Sequence, residues 1–169
     1  MPIVANDLQF RLSGGAANAD PNASLGGAIS NTAMTDAALH NLFDQVASGE
    51  SSAGDVEYRC IYLRNAHATL ALQNAKAYLS ADASNPNVTI AFALGTSVIS
   101  GTEQTVADED TPPAGVTWEE AAGEANAQAI GNMPAGSHKA VWIRRTVTAG
   151  AAADDLDSSV IVLKGDTAE

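Results

Sequence analysis

Apolar and polar residues alternate with a period of two in several separate runs of this chain, and such runs predict half-buried β-strands. Leu8, Phe10 and Leu12 alternate with Gln9 and Arg11 in a first strand. The strongest run is 56–65, VEYRCIYLRN. There Val56, Tyr58, Cys60 and Tyr62 point one way, and Glu57, Arg59, Ile61 and Leu63 the other. A tight connection at 66–69 leads to a strand at 70–79. Its alternation slips near Asn74 and Ala75, which predicts a bulge. Val88, Ile90, Phe92 and Leu94 alternate with Thr89, Ala91 and Ala93, and Gly95 ends that strand.

The segments between these runs are punctuated by turn residues. Residues 13–34 are rich in Gly, Ala and Asn, with a turn signal at Asp20-Pro21, and read as a long loop or an extended arm. Residues 35–47, TDAALHNLFDQVA, predict a short helix capped by Thr35 or Asp36, with Leu39, Leu42, Phe43 and Val46 on one face. Residues 48–55 read as a polar turn. Val98 and Ile99 begin a short strand or edge, 103–115 form an acidic loop containing proline, 116–118 start another short strand, and 119–126 suggest a helical turn.

Residues 133–166 carry the clearest architectural signal. A Pro-Ala-Gly turn at 134–136 opens a long strand at 138–147. A small acidic loop and a second strand at 159–164 follow, as in the last two strands of an immunoglobulin-like β-sandwich. Seven to nine short strands at intervals of 8–15 residues predict an all-β, antiparallel sandwich, with at most one short helix, in a single domain over 1–169.

Composition narrows the function. Apolar residues make up 46% of the chain and aromatics 5%, so the core is built from Val, Ile, Leu and Ala. The net charge of −12 repels phosphates and anionic membranes, which argues against a nucleic-acid or membrane partner. All eight basic residues fall in or beside predicted strands, while most of the twenty acids fall in loops. Cys60, the single cysteine, excludes an intrachain disulfide and reads as a small core residue. The first ten residues lack the pattern of a signal peptide, and no run is apolar for the length of a bilayer. The expectation is synthesis in a cytoplasm.

Catalytic chemistry has no evident carrier. His40, His67 and His138 share no metal-ligand spacing. There is no G-x-S-x-G elbow and no phosphate-binding glycine loop. The acidic clusters 108–110 and 154–157 lack the spacing of a calcium loop and read as solvated. No cofactor or metal is expected, and no enzyme. Trp118 and Trp142 fit a core or sheet face, or a binding anchor. The candidate partner contacts are Arg11, Arg59, Arg144 and Trp118. Arg144 and Arg145 must point to opposite faces of a regular strand, so at most one of them can join Arg59 in an external stripe.

Three segments carry a family resemblance: LSGGAANADPNASLGGAIS, VEYRCIYLRNAHATLALQNAKAYLS and MPAGSHKAVWIRRTV. Together they resemble small structural proteins of tailed bacteriophages, the virion or decoration proteins. The resemblance implies a non-enzymatic virion protein that decorates or cements the capsid. Its partners would be the major capsid protein or other virion proteins, and it would be a homo-oligomer located in the virion. The implied arm at 13–34 would clasp neighbouring subunits, and exposed sheet edges would pair between copies. Two alternatives stay open: a tail, baseplate or neck component, and a carbohydrate- or receptor-binding module.

Overall fold

The structure is a computed structural model that describes residues 2–152 and 157–167. Nine strands are present among the described residues: β1 (Leu8–Leu12), β2 (Gly26–Gly27), β3 (Asp55–Asn65), β4 (Leu72–Ala81), β5 (Val88–Leu94), β6 (Glu103–Thr105), β7 (Gln128–Met133), β8 (His138–Val147) and β9 (Val160–Thr167). They form an antiparallel four-stranded sheet, β1-β3-β8-β5, a three-stranded sheet, β7-β4-β9, and a two-stranded ribbon, β2-β6. The fold is an all-β sandwich.

Its core lies between the two larger sheets. From the four-stranded sheet come Leu12, Ile61, Leu63, Ile90, Phe92, Val141 and Ile143; from the other come Leu72, Ala75, Ala77, Leu79, Met133 and Leu163. The alternation in β3 is real, but both of its faces are buried. Ile61 and Leu63 enter this core, while Cys60 and Tyr62 enter a second cluster on the opposite face with Val106, Ala140 and Trp142. Loop residues Leu25, Ile29, Val116 and Trp118 cover that second cluster. A strand covered on both faces makes the four-stranded sheet the rigid centre of the molecule.

The predicted bulge is present. Register shifts flank Ala75 in β4, and Asn74 takes φ +50 there. Asn tolerates this left-handed conformation better than most residues. The predicted turn before β8 is closed by the Ser137 amide donating to the Pro134 carbonyl at 3.0 Å, with Gly136 at φ +74.

Several expectations are corrected. No helix forms over 35–47: Ala37 and His40 have positive φ, and Leu39 is 69% exposed. Tertiary demand overrides local propensity there, because Phe43 and the Asp44 carbonyl are drawn onto Arg145. Among the described residues the single α-helix is α1 (Ser48–Ala53), in the segment read as a turn. Its Glu50 carboxylate accepts the Ala47 amide at 2.6 Å and closes the first turn.

Residues 13–34 form a loop, interrupted by β2, that folds back on the body of the protein. Ser13, Ser24 and Ser30 are fully buried, and Ser30 donates to Leu12 while Gly15 donates to Ala28 through the backbone. The last two long strands, β8 and β9, do not pair but lie in opposite sheets. Val98 and Ile99 sit in a turn, whereas β6 arises within the segment read as an acidic loop, and β7 forms where no strand is predicted. Residues 116–118 form no strand; Glu119 makes an isolated bridge to Phe92.

Candidate functional site

Tyr58, Trp118 and Arg144 form an aromatic and basic patch that is partly open to solvent. Tyr58 in β3 lies directly opposite Arg144 in β8, so the register puts both on the outer face of the four-stranded sheet. The Glu119–Phe92 bridge holds the neighbouring Trp118 above them. The Tyr58 and Trp118 rings are 5.7 Å apart and tilted by 46°. The Arg144 guanidinium lies 5.1 Å from the Trp118 ring centre and is paired with Glu120. Such cation–π stacking fixes a rigid, amphipathic surface with few rotamers left to freeze on binding. The Arg144 Nε has no hydrogen-bond partner among the described residues.

Sequence reading singled out Trp118 and Arg144, and the structure brings these two together. Arg11 shares their sheet face, because β1 pairs it with Tyr62, but it lies four residues further along β3. It is tied to the Gln9 side chain and the Asn31 carbonyl. Tyr58 and Tyr62 share a face, as their alternation predicts, and it is the outer one: the ribbon and its loops bury Tyr62 and leave Tyr58 half open. Glu120 gave no signal in the sequence, since an acid in an Ala- and Glu-rich stretch has no periodicity to mark it.

Arg59 is corrected as a surface contact: it is wholly buried on the inner face. Its guanidinium pairs with Glu109 and reaches Asn22 Oδ1 at 3.3 Å and Glu57 Oε1 at 3.9 Å. Arg145, on the same face, pairs with Glu57 and donates to the Asp44 carbonyl at 2.8 Å. Phe43 packs on both guanidinium groups, at 5.7 and 4.9 Å. Burial pushes the Glu57 carboxyl up to about 7, against the pull of Arg145 and Arg59. This network joins β3 and β8 to three loops at one end of the sandwich. Its charges are spent inside the fold.

A second buried acid has the opposite environment. Glu103 in β6 accepts the Thr96 amide at 3.1 Å, the Thr96 hydroxyl at 2.9 Å and the Ser97 amide at 2.9 Å. Burial alone would raise its pKa, but the donors from Ser97 and Thr96 outweigh burial and hold it at about 2. Its own amide donates to the Tyr62 hydroxyl, which donates to the Gly27 carbonyl at 2.5 Å. Gly95 must be glycine, since a Cβ there would lie 2.3 Å from the Glu103 carboxylate. The arrangement staples the ribbon onto the sheet and offers no free group to a substrate.

Several other reactive groups are engaged. Burial raises the Cys60 thiol pKa far above the usual range, so the thiol stays protonated. In the cluster 108–110, Glu109 turns to Arg59 and Asp108 accepts the Thr111 hydroxyl. In the cluster 154–157, Asp154 and Asp155 lie outside the described residues, and Asp157 accepts two backbone amides and a hydroxyl from Ser84 and Asn85. Among the described residues no three His, Cys, Asp or Glu side chains converge as a metal would require, and no helix is long and apolar enough to cross a membrane. No family model matches this chain, and no curated protein or solved structure does either.

Proposed function

We propose that this chain is a non-enzymatic structural protein of a tailed-bacteriophage virion that decorates or cements the capsid through protein–protein contacts. The contact role is carried by the Tyr58–Trp118–Arg144 patch. Tyr, Trp and Arg are the residue types that dominate interface hot spots, and here they are rigidly mounted on the central sheet. The virion assignment rests on the resemblance of the three sequence segments to phage decoration proteins. A net charge of −12 fits a subunit that stays soluble before assembly. Hundreds of repeated sites on a shell would make weak single contacts adequate.

The test is the copy number of this chain in purified particles, by quantitative mass spectrometry against the major capsid protein. A fixed simple ratio to the capsid protein supports decoration. A few copies to a few dozen moves the protein to the neck, tail or baseplate. Absence from particles ends the virion reading. The same patch also favours a second reading, a carbohydrate- or receptor-binding module, since an aromatic ring beside Arg144 and Glu120 suits a polar ligand with apolar faces. Glycan-array binding that Trp118→Ala abolishes would support that reading.

A further inference from the structure

We infer that the outer edge of β9 is a self-association edge, where a second copy of this chain adds antiparallel across a two-fold axis at Gly165. This inference concerns the isolated chain and does not depend on the virion reading.

The contrast between edges is the first ground. The chain closes both edges of the four-stranded sheet itself. On β5, Val88 donates to the Asn85 carbonyl at 3.0 Å, Ile90 to the Asp82 carboxylate at 2.8 Å and Leu94 to the Gln128 side chain at 3.0 Å. Phe92 exchanges two backbone bonds with Glu119, at 3.0 and 2.8 Å. On β1, Leu12 donates to Thr32, and Met34 to Phe10. Where β3 runs past β1, Tyr58 and Cys60 donate to the Glu109 and Ser24 carbonyls, each at 2.7 Å. An unpaired strand edge is a template for another chain, and capping removes it.

The three-stranded sheet differs. Its β7 edge is six residues long and is bent by Gly131 at φ +91. Its β9 edge is eight residues long, with no positive φ and no capping bond from another segment among the described residues. Among the described residues β9 pairs only with β4.

The sequence of β9, VIVLKGDT, selects the partner. In an antiparallel pair, directly opposite residues share a face and their charges interact. A two-fold axis at Gly165 sets Lys164 against Asp166 of the second copy, twice. An axis at Lys164 or Asp166 would oppose like charges. An axis at Leu163 would oppose Val162 to Lys164 and Val160 to Asp166. An axis between residues would turn the inner face of one copy outward. Of the registers that keep the core faces aligned, only the one at Gly165 sets both charges against opposite ones, and among the described residues it pairs 163–167. Lys164 is exposed and donates to Glu124 at 2.9 and 3.0 Å, and the exposed Asp166 accepts, among the described residues, from the Asn74 side chain at 2.9 Å.

The test is sedimentation equilibrium of the full chain from micromolar to near-millimolar concentration. The salt should be near physiological, where the Debye length of about 8 Å screens the net charge of each copy. Wild type should rise toward twice 17.2 kDa. Lys164→Glu, and separately Asp166→Lys, should each weaken the dimer by at least about tenfold, because two attractive pairs become repulsive. The combined exchange of both residues should restore it. Asp166→Lys leaves the Lys164–Glu124 pair in place, so the test survives if Lys164→Glu misfolds. A wild type that stays monomeric throughout, single variants that dimerise as wild type does, or a double exchange that fails to restore association would each overturn the inference.

Discussion

Replacing Glu103 with Gln should destabilise the fold strongly at neutral pH and hardly at all in strong acid. The substitution keeps the shape and removes the charge. It also sets an amide donor where the Thr96 and Ser97 groups require acceptors. The folded-state pKa lies at about 2 against an ordinary value of 4.5. At roughly 1.4 kcal/mol per pH unit, that gap corresponds to about 3 kcal/mol. The residue is only 3% exposed, so solvent screening does not reduce this much. Because the folded pKa is depressed, the stabilisation is fully present above pH 4.5 and is lost as pH falls through 2. Urea unfolding of wild type and Glu103→Gln across this range measures it. The difference should be about 3 kcal/mol near neutrality and should shrink steadily toward pH 2. Glu57 titrates in both proteins and cancels. A neutral-pH difference under about 0.5 kcal/mol would refute the reasoning, as would one that does not change with pH.

Other consequences are as direct. Arg145→Met removes the partner of the buried Glu57, which already titrates at about 7 and would then take up a proton near neutrality, so urea unfolding should show a loss of about 1–3 kcal/mol from the unmade hydrogen bonds. The raised Glu57 pKa also predicts that wild-type stability carries a term falling as pH rises from 4.5 to about 7, and Glu57→Gln should abolish that term. Trp142 is fully buried and Trp118 half open, so Trp118→Phe should leave blue-shifted emission that acrylamide quenches poorly; strong quenching would contradict the assignment. Gly26→Ala would put a Cβ 1.9 Å from the Gln104 carbonyl at φ +96, and thermal denaturation should show a loss of at least about 2 kcal/mol as the ribbon is forced apart. Cys60 should react with a thiol reagent only at the rate of unfolding.

Strands whose alternation is long and uninterrupted are legible from local pattern. Strands 88–94 and 138–147 have the bounds their patterns predict, and 56–65 differs by one residue, because period two follows from local backbone geometry. The bulge at Asn74 was legible for the same reason, as a slip in that period. The opposite orientations of Arg144 and Arg145 also follow from the pleat alone. Tertiary structure decided everything that depends on partners distant in sequence. Which face of β3 lies under the second sheet and which under loops cannot be read from a strand whose two faces are both apolar enough to bury. Arg59 reads as a surface cation locally. It is buried only because Glu109, fifty residues away, and Asn22 converge on it. Residues 35–47 carry helical spacing, yet they unwind because Arg145, about a hundred residues later, requires the Asp44 carbonyl. Strands β2 and β6 are two and three residues long, too short to show any period, and exist because Glu103 and Tyr62 anchor them to the sheet. Local pattern fixes where the chain is extended. Long-range pairing of buried charge fixes which extended segments meet and which surface is left to a partner.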